Sequence, residues 1–187
     1  MIRTYHREKL INAIIYFSKN TQYCGKTKLM KLLYFLDFWH FRQTGNSVTG
    51  SEYLTLKQGP VPGALWTEIT KKMKPDLDSC ISIIARREPN LQRIIAKCDF
   101  NGDFFTDREK ELLENIAYIF RDATAAEISE ISHLPNQPWK RTLDEKGEWK
   151  RIDYLLALDG SNKCISYDQA KEKSDEISEM YKNFGAV

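Results

Sequence analysis

The sequence predicts a mainly α fold of the α+β class: a single helical domain around a buried central helix, with a small antiparallel β-sheet or hairpin. Residues 27–44 are apolar on nearly every face, which is typical of a helix that other elements surround. Capping boxes of the form Ser/Thr-x-x-Glu/Gln begin at Thr106, Thr124 and Ser166 and predict further helix starts. Residues 81–98 are rich in β-branched side chains around a central turn, which indicates a hairpin.

The composition is that of one globular domain. The chain has 187 residues, of which 42% are apolar and 29% are charged, a balance typical of soluble proteins. The net charge of +2 is too small to indicate nucleic-acid binding by itself. Four cysteines without a CxxC pair favour reduced thiols over a disulfide framework. Since neither a signal peptide nor an apolar stretch of membrane-spanning length is recognisable, we expect a cytoplasmic protein with no membrane contact.

The N-terminal elements follow from apolar spacing and from turn residues. Helical periodicity predicts a first helix from about Tyr5 to Ser18 and the central helix from about Thr27 to Thr44. Alternating residues over 51–57 predict a half-buried strand. The next segment, Gly59-Pro-Val-Pro-Gly63, is expected to form a rigid turn, with Pro62 at the first position of the following helix.

The C-terminal half is predicted to be helical. The first two capping boxes indicate helices over about 106–121 and 124–132, whereas residues 137–159 show no clear pattern. The third box begins a tail helix whose sparse apolar stripe needs something to pack on. We therefore divide the chain into a domain over residues 1–165 and a C-terminal tail helix over residues 166–187.

Asp37 and His40 are the residues that most resemble a catalytic or metal-binding pair. They lie three positions apart on the central helix, so their side chains can meet. A zinc site needs three or four ligands, however, and no further ligand motif accompanies this pair. A structural hydrogen bond is the favoured interpretation. Hydrolase-elbow, P-loop and dinucleotide-binding motifs are also missing, so we expect no enzymatic activity, no cofactor and no metal.

Basic residues on the predicted hairpin leave DNA binding open as an alternative. Arg86, Arg87 and Arg93 could contact phosphates if this hairpin were the wing of a winged-helix protein. Charged side chains on an edge strand are more often solvated surface that prevents aggregation. Because the net charge is weak, we do not expect a nucleic-acid partner.

Aromatic side chains give the better indication of function, because Trp and Tyr are enriched at binding hot spots. The candidates are Trp39, Tyr53, Trp66, Trp139, Trp149 and Tyr154. We expect Trp39 and Trp66 to fill the core. Tyr53 and Trp139 border turns or polar runs, so we expect them to be partly exposed.

Several phrases resemble the SocA-like, or Panacea, antitoxin domain. They are Lys31-Leu-Leu-Tyr-Phe-Leu-Asp-Phe-Trp-His40, Thr49-Gly50, Tyr53, Leu56-Lys57, Gly59-Pro-Val-Pro62, Ser132-His133, Trp139-Lys140 and Ile152-Asp-Tyr154. The resemblance extends from about residue 5 to about residue 160. The combination through Gly-Pro-Val-Pro is specific, although each phrase alone is weak.

The resemblance implies a mostly helical antitoxin of a type II toxin–antitoxin system, which neutralises a nearby-encoded cognate toxin by direct contact. Two alternatives remain: an adaptor that delivers a partner to an ATP-dependent protease, and a winged-helix-like DNA-binding regulator. A homodimer also remains open. No DNA-binding domain is expected beyond the tail, which lowers the expectation of autorepression.

The resemblance also implies which residues matter. We expect one group of signature residues to hold the fold: Asp37, His40, Gly59, Pro60, Pro62 and His133. A second group supplies the candidates for partner contact: Tyr53, Lys57, Trp139 and Lys140.

Overall fold

The computed structural model describes residues 5–85, 92–161 and 164–184. The helices in these residues are α1 (His6–Asn20), α2 (Lys26–Thr44), α3 (Gly63–Thr70), α4 (Pro75–Cys80), α5 (Asp107–Ile119), α6 (Ala125–Ser132), α7 (Pro138–Lys146) and α8 (Tyr167–Phe184). The strands are β1 (Tyr53–Leu56), β2 (Gly59–Pro62), β3 (Ile81–Ala85) and β4 (Gln92–Ala96). Short 3₁₀ turns occupy Gly102–Phe104 and Tyr154–Ala157. The predicted mainly α fold with small antiparallel sheets is confirmed.

Helix α2 is the centre of the molecule. Thirteen of its 19 residues are buried, and it contacts α1, α5, α6, β2, β4 and the 3₁₀ turn at 154–157. It ends as predicted at Gly45, whose backbone is left-handed with φ +80° and whose N–H donates to the carbonyl of Phe41. The expectation that an all-round apolar helix is enclosed by the other elements is therefore correct.

The capping boxes form as the sequence predicts. Thr106 and Glu109 bond reciprocally at the start of α5, and Thr124 with Glu127 does the same at the start of α6. Each box satisfies free backbone N–H groups in the first turn of its helix. Local sequence thus determines where both helices begin.

A buried lysine joins two connections between helices. The Nζ atom of Lys28 donates to the carbonyl oxygens of Gln22, Arg121 and Ala123, at 2.7, 3.2 and 2.6 Å. The side chain is 0% exposed, and burial lowers its pKa. These carbonyls lie in the loops that follow α1 and α5, so the bonds tie the α1–α2 loop to the α5–α6 loop.

The predicted rigid turn at residues 59–63 is wrong, because Gly59–Pro62 forms strand β2. It pairs antiparallel with β1, with Tyr53 opposite Pro62 and Leu56 opposite Gly59. The backbone N–H of Gly63 donates to the carbonyl of Glu52. Along β2, the residues whose N–H groups face β1 therefore alternate with Pro60 and Pro62. Proline is tolerated in an edge strand at such outward positions. Pro62 is the N-cap of α3 rather than its first helical residue.

The other edge of β1 is also paired. Trp149 donates its N–H to the carbonyl of Thr55, Thr55 donates to the carbonyl of Lys150, and Ile152 donates to the carbonyl of Tyr53. The segment at 149–152 therefore lies beside β1, opposite β2. Helix α7, which precedes this segment, and the 3₁₀ turn that follows it occupy the stretch for which the sequence shows no clear pattern.

The second hairpin confirms the prediction for residues 81–98. Strands β3 and β4 pair antiparallel from Ile81 with Ala96 to Ala85 with Gln92. Its turn, with Arg86 and Arg87, lies outside the described residues. At its base the sulfur atoms of Cys80 and Cys98 lie 2.6 Å apart as free thiols.

The tail helix packs on the body through its first turns. Lys173 donates to the carbonyl of Thr44, the Ile165 N–H donates to the carbonyl of Arg42, and Ala170 is buried. The side chains of the predicted apolar stripe lie outside what the structure describes. The division into residues 1–165 and 166–187 stays a prediction.

Gly59→Ala should be costly because the site requires both a positive φ and open space. Gly59 has φ +107°, and an added Cβ would lie 2.6 Å from Nζ of Lys31 and 2.8 Å from Nε2 of His133. We expect a loss of about 3 kcal/mol of unfolding free energy, from backbone strain and overpacking together. Urea denaturation measures it.

The matched control is Gly160→Ala, at φ +71° with no described atom within 4 Å of the added carbon. It should lose only about 1 kcal/mol, from the left-handed backbone alone. Equal losses in both variants would show that the space at Gly59 is not critical.

Candidate functional site

Asp37 is a fully buried carboxylate that organises the chain after α2. Its Oδ1 accepts the backbone N–H groups of Val48 and Thr49 at 2.8 and 2.7 Å. Its Oδ2 accepts the hydroxyl groups of Thr49 and Tyr53 at 2.5 and 2.8 Å. Burial raises the pKa of Asp37 to about 6, and these donors oppose that rise. The residue joins the central helix to the start of the β1–β2 hairpin.

His40 does not use Asp37 as its partner. Its Nδ1 lies 2.7 Å from the carbonyl of Asn46 and 3.2 Å from the hydroxyl of Thr44. Burial lowers the pKa of His40, so the neutral ring with its proton on Nδ1 donates to Asn46. Asp37 and His40 therefore do not pair with each other. Each of them bonds instead to the loop that follows α2.

Tyr53 and Trp139 are more buried than expected. Tyr53 is 0% exposed and Trp139 is 4% exposed, so the expectation of partial exposure is wrong for both. The physical reason is that each polar atom has a partner inside the fold: Asp37 for the hydroxyl of Tyr53, and the carbonyl of Leu56 for Nε1 of Trp139, at 3.1 Å. Neither side chain offers a surface to a partner in this conformation.

A buried lysine and a histidine meet at the β1–β2 hairpin. Lys31 is 1% exposed and donates from Nζ to the carbonyl of Pro60 at 3.1 Å. Burial lowers its pKa to about 7. Both Nζ of Lys31 and Nε2 of His133 lie within 3 Å of the position that a Cβ on Gly59 would occupy. Burial, followed by the charge of Lys31, lowers the pKa of His133, whose ring stacks on Trp139 at a centroid distance of 4.1 Å.

The exposed residues around the hairpin turn form what we call the hairpin face: Lys57, Gln58, Leu134, Lys140 and Trp149. Lys57 and Gln58 are the exposed turn itself. Leu134 follows His133, whose ring stacks on Trp139 and lies beside Gly59 of the hairpin.

Two further anchors place the rest of the hairpin face. Lys140 follows Trp139, which is held at Leu56, and Trp149 is held by its own N–H at Thr55. These bonds hold Trp139, which precedes Lys140, and the backbone of Trp149 next to the β1–β2 hairpin.

Trp149 is an exposed aromatic residue that was among the aromatic candidates but was not expected to contact a partner. Its side chain is 60% exposed, and its backbone is left-handed with φ +60°. Such a conformation is uncommon for a bulky residue and is retained only where the surroundings impose it. The N–H of Trp149 is held at the carbonyl of Thr55. The signal in the sequence was a tryptophan among the polar residues Glu148 and Lys150.

The charged candidates have different surroundings. Lys57 is exposed, and Lys140 is partly exposed in a 2.6 Å ion pair with Asp144, which contributes little on a surface. Of the arginines considered for DNA contact, Arg86 and Arg87 lie outside the described residues, and Arg93 bonds at 3.3 Å to the side chain of Gln22. The structure leaves the DNA alternative untested.

Among residues 5–85, 92–161 and 164–184, no three histidine, cysteine or acidic side chains are grouped so that they could hold a metal ion. No helix within those ranges is both long enough and apolar enough to traverse a bilayer.

The family model described as antitoxin SocA-like, Panacea domain, matches residues 29–140, more than half of the 187 residues. The chain belongs to the SocA-like Panacea family. Searches among curated proteins and among solved structures gave no match. Family membership supports an antitoxin-type role. The matched region of this Panacea domain includes α2 from Leu29 onward, both hairpins, and the hairpin face apart from Trp149.

Asp37→Ala should destabilise the Panacea domain strongly, because four hydrogen bonds to buried donors would be lost. We expect a loss of about 3 kcal/mol or more at pH 7. Asp37→Asn is the matched control, since its oxygen can still accept both backbone N–H groups and the hydroxyl groups can rotate to accept from its amide. Chemical denaturation compares them; a loss below about 1 kcal/mol for alanine would contradict the role of Asp37.

Lys31→Met should remove a pH dependence of stability. The pKa of Lys31 is about 7 in the folded chain against a usual 10.5, so between these values the unfolded chain binds more protons and stability rises with pH. From pH 7 to pH 9 we expect the wild type to gain about 2 kcal/mol more than the methionine variant. Urea denaturation at both pH values measures this; parallel changes would mean that Lys31 keeps an ordinary pKa.

Proposed function

We propose that this Panacea domain is a non-enzymatic antitoxin that neutralises a cognate toxin by direct contact through the hairpin face. Membership of the SocA-like Panacea family over residues 29–140 is the observation on which the proposal rests. The geometry supports it by separating two groups of residues. Asp37, His40, Gly59 and His133 are occupied with internal contacts, whereas the hairpin face is directed outward.

The composition of the hairpin face suits a protein partner. Trp149 is 60% exposed and Leu134 is 52% exposed, and Lys57 and Lys140 lie with them at the hairpin. Binding energy in interfaces concentrates in a few aromatic or basic side chains surrounded by less important contacts. A rigid hairpin also lowers the entropic cost of binding, because its side chains are already positioned. Lys57 and Lys140 thus remain proposed contacts, and Trp149 replaces Tyr53 and Trp139.

Trp149→Ala is the decisive variant. The toxin is sought as the product of the neighbouring reading frame that arrests growth when expressed alone. We expect the wild-type chain to restore growth, and Trp149→Ala to weaken toxin binding by about tenfold or more, measured by calorimetry with purified proteins. Lys57→Glu should weaken binding by slowing association, since it reverses a charge at the rim of the contact.

Tyr118→Ala is the matched control. Tyr118 is 83% exposed and lies on α5, which packs on α1 and α2. This variant should bind like the wild type, and equal thermal midpoints of all variants would exclude misfolding. Full binding by Trp149→Ala would remove the hairpin face from the proposal. A neighbouring product that neither arrests growth nor binds the chain would argue against the antitoxin function itself.

The lifetime of the toxin in cells separates plain neutralisation from delivery to an ATP-dependent protease. A toxin that is bound and inhibited should persist as long as, or longer than, the free toxin. A lifetime shortened by this chain would contradict plain neutralisation and identify an adaptor.

A further inference from the structure

A groove lies on the surface between α2, the start of α7 and the 3₁₀ turn at 154–157. Its volume is about 380 Å³, within the range of pockets that bind small ligands. Tyr34, Arg42, Arg141 and Asp159 are among the residues that line it. None of the roles described above uses this groove.

The hydroxyl of Tyr34 is a donor without an acceptor. The residue is 1% exposed, and within the described residues its buried hydroxyl has no hydrogen-bond partner. Burial raises the pKa of Tyr34, and the nearby backbone N–H of Trp139 opposes part of that rise. The hydroxyl therefore stays protonated and lies at the first turn of α7. A buried donor without a partner is costly, so an acceptor supplied from outside would remove that cost.

The start of α7 adds further donors. Its N-cap residue, Gln137, makes no side-chain hydrogen bond to the first turn, and Pro138 has no N–H, so the free N–H groups of that turn are those of Trp139 and Lys140. The N-terminus of a helix favours a negatively charged group. Arg141, one turn further along α7, is exposed, and the ion pairs among the described residues do not include it.

The charge balance and the walls of the groove identify the kind of anion. Arg42 is paired with Asp159 at 2.6 Å, which leaves Arg141 as the uncompensated charge of the lining. One net positive charge matches a monoanion better than a doubly charged phosphate. Phe38 and Leu156 are among the apolar residues of the lining, and they suit an apolar group attached to the anion.

We propose that this groove binds a carboxylate carrying an apolar group, with the carboxylate held by the Tyr34 hydroxyl, the first turn of α7 and Arg141. Such a carboxylate is found both on small organic acids and at the C-terminus of a polypeptide that ends in an apolar residue. The proposal does not depend on the antitoxin function.

Calorimetry with the full chain tests the proposal with two pairs of probes. One pair is 3-phenylpropionate and its amide; the other is an N-acetylated tripeptide ending in phenylalanine, with either a free or an amidated C-terminus. We expect at least one free acid to bind the wild type, and its amide to bind at least about tenfold more weakly, since hydrogen bonds to a charged group are the stronger ones. Binding of the peptide acid alone would identify a chain terminus, and binding of phenylpropionate alone would identify a small acid.

Tyr34→Phe and Arg141→Gln test the assigned residues. Tyr34→Phe keeps the ring and should fold, and each variant should weaken binding of the acid by about tenfold. Arg108→Gln, an exposed arginine on α5, removes the same charge and should bind like the wild type. The proposal is overturned if neither acid binds the wild type, if the amides bind equally well, or if Tyr34→Phe and Arg141→Gln both bind without loss.

Discussion

One buried carboxylate determines where the chain runs after the central helix. Asp37 holds the backbone of Val48 and Thr49 and the hydroxyl of Tyr53, so the loop after α2 must fold back along it and deliver β1 to the helix. Every later contact of the hairpin, from Lys31 at Pro60 to Trp139 at Leu56, requires that placement. A buried charge is stabilised only while all of its donors remain in position, which makes the arrangement cooperative.

Polar residues can be buried in the apolar helix α2 because each of them has a partner elsewhere in the fold. Lys28, Lys31 and Asp37 each lose hydration on folding, and each recovers part of it through contacts with residues distant in sequence. The apolar side chains of α2 provide the driving force for burial. The polar ones select the arrangement in which their own partners are available. Stability and specificity are thus supplied by different residues of one helix.

The elements that could be predicted from sequence are those whose signals are local. The capping boxes at Thr106 and Thr124 and the all-round apolar pattern of α2 depend on neighbours within a few residues. Strand β2 was missed because Pro60 and Pro62 argue against a strand, and only the register with β1 shows that their nitrogen atoms face away from the partner. The prediction that Tyr53 and Trp139 are partly exposed was wrong for the same reason. Their hydrogen-bond partners, Asp37 and Leu56, are distant from them in sequence. Trp149 combines an exposed side chain with a left-handed backbone and a hydrogen bond to Thr55, which is also distant in sequence.

The pairing of β1 on both sides has a consequence for recognition. One edge of β1 pairs with β2, and the other edge pairs with the segment at 149–152. Pro60 and Pro62 have no N–H, so the side of β2 that faces away from β1 lacks donors at those two positions. A partner therefore cannot pair with β1 itself, and β-augmentation, in which an added strand binds through its main chain, is closed at that strand. Specificity at this surface must lie in side chains, which can diverge among relatives while the scaffold beneath them stays the same.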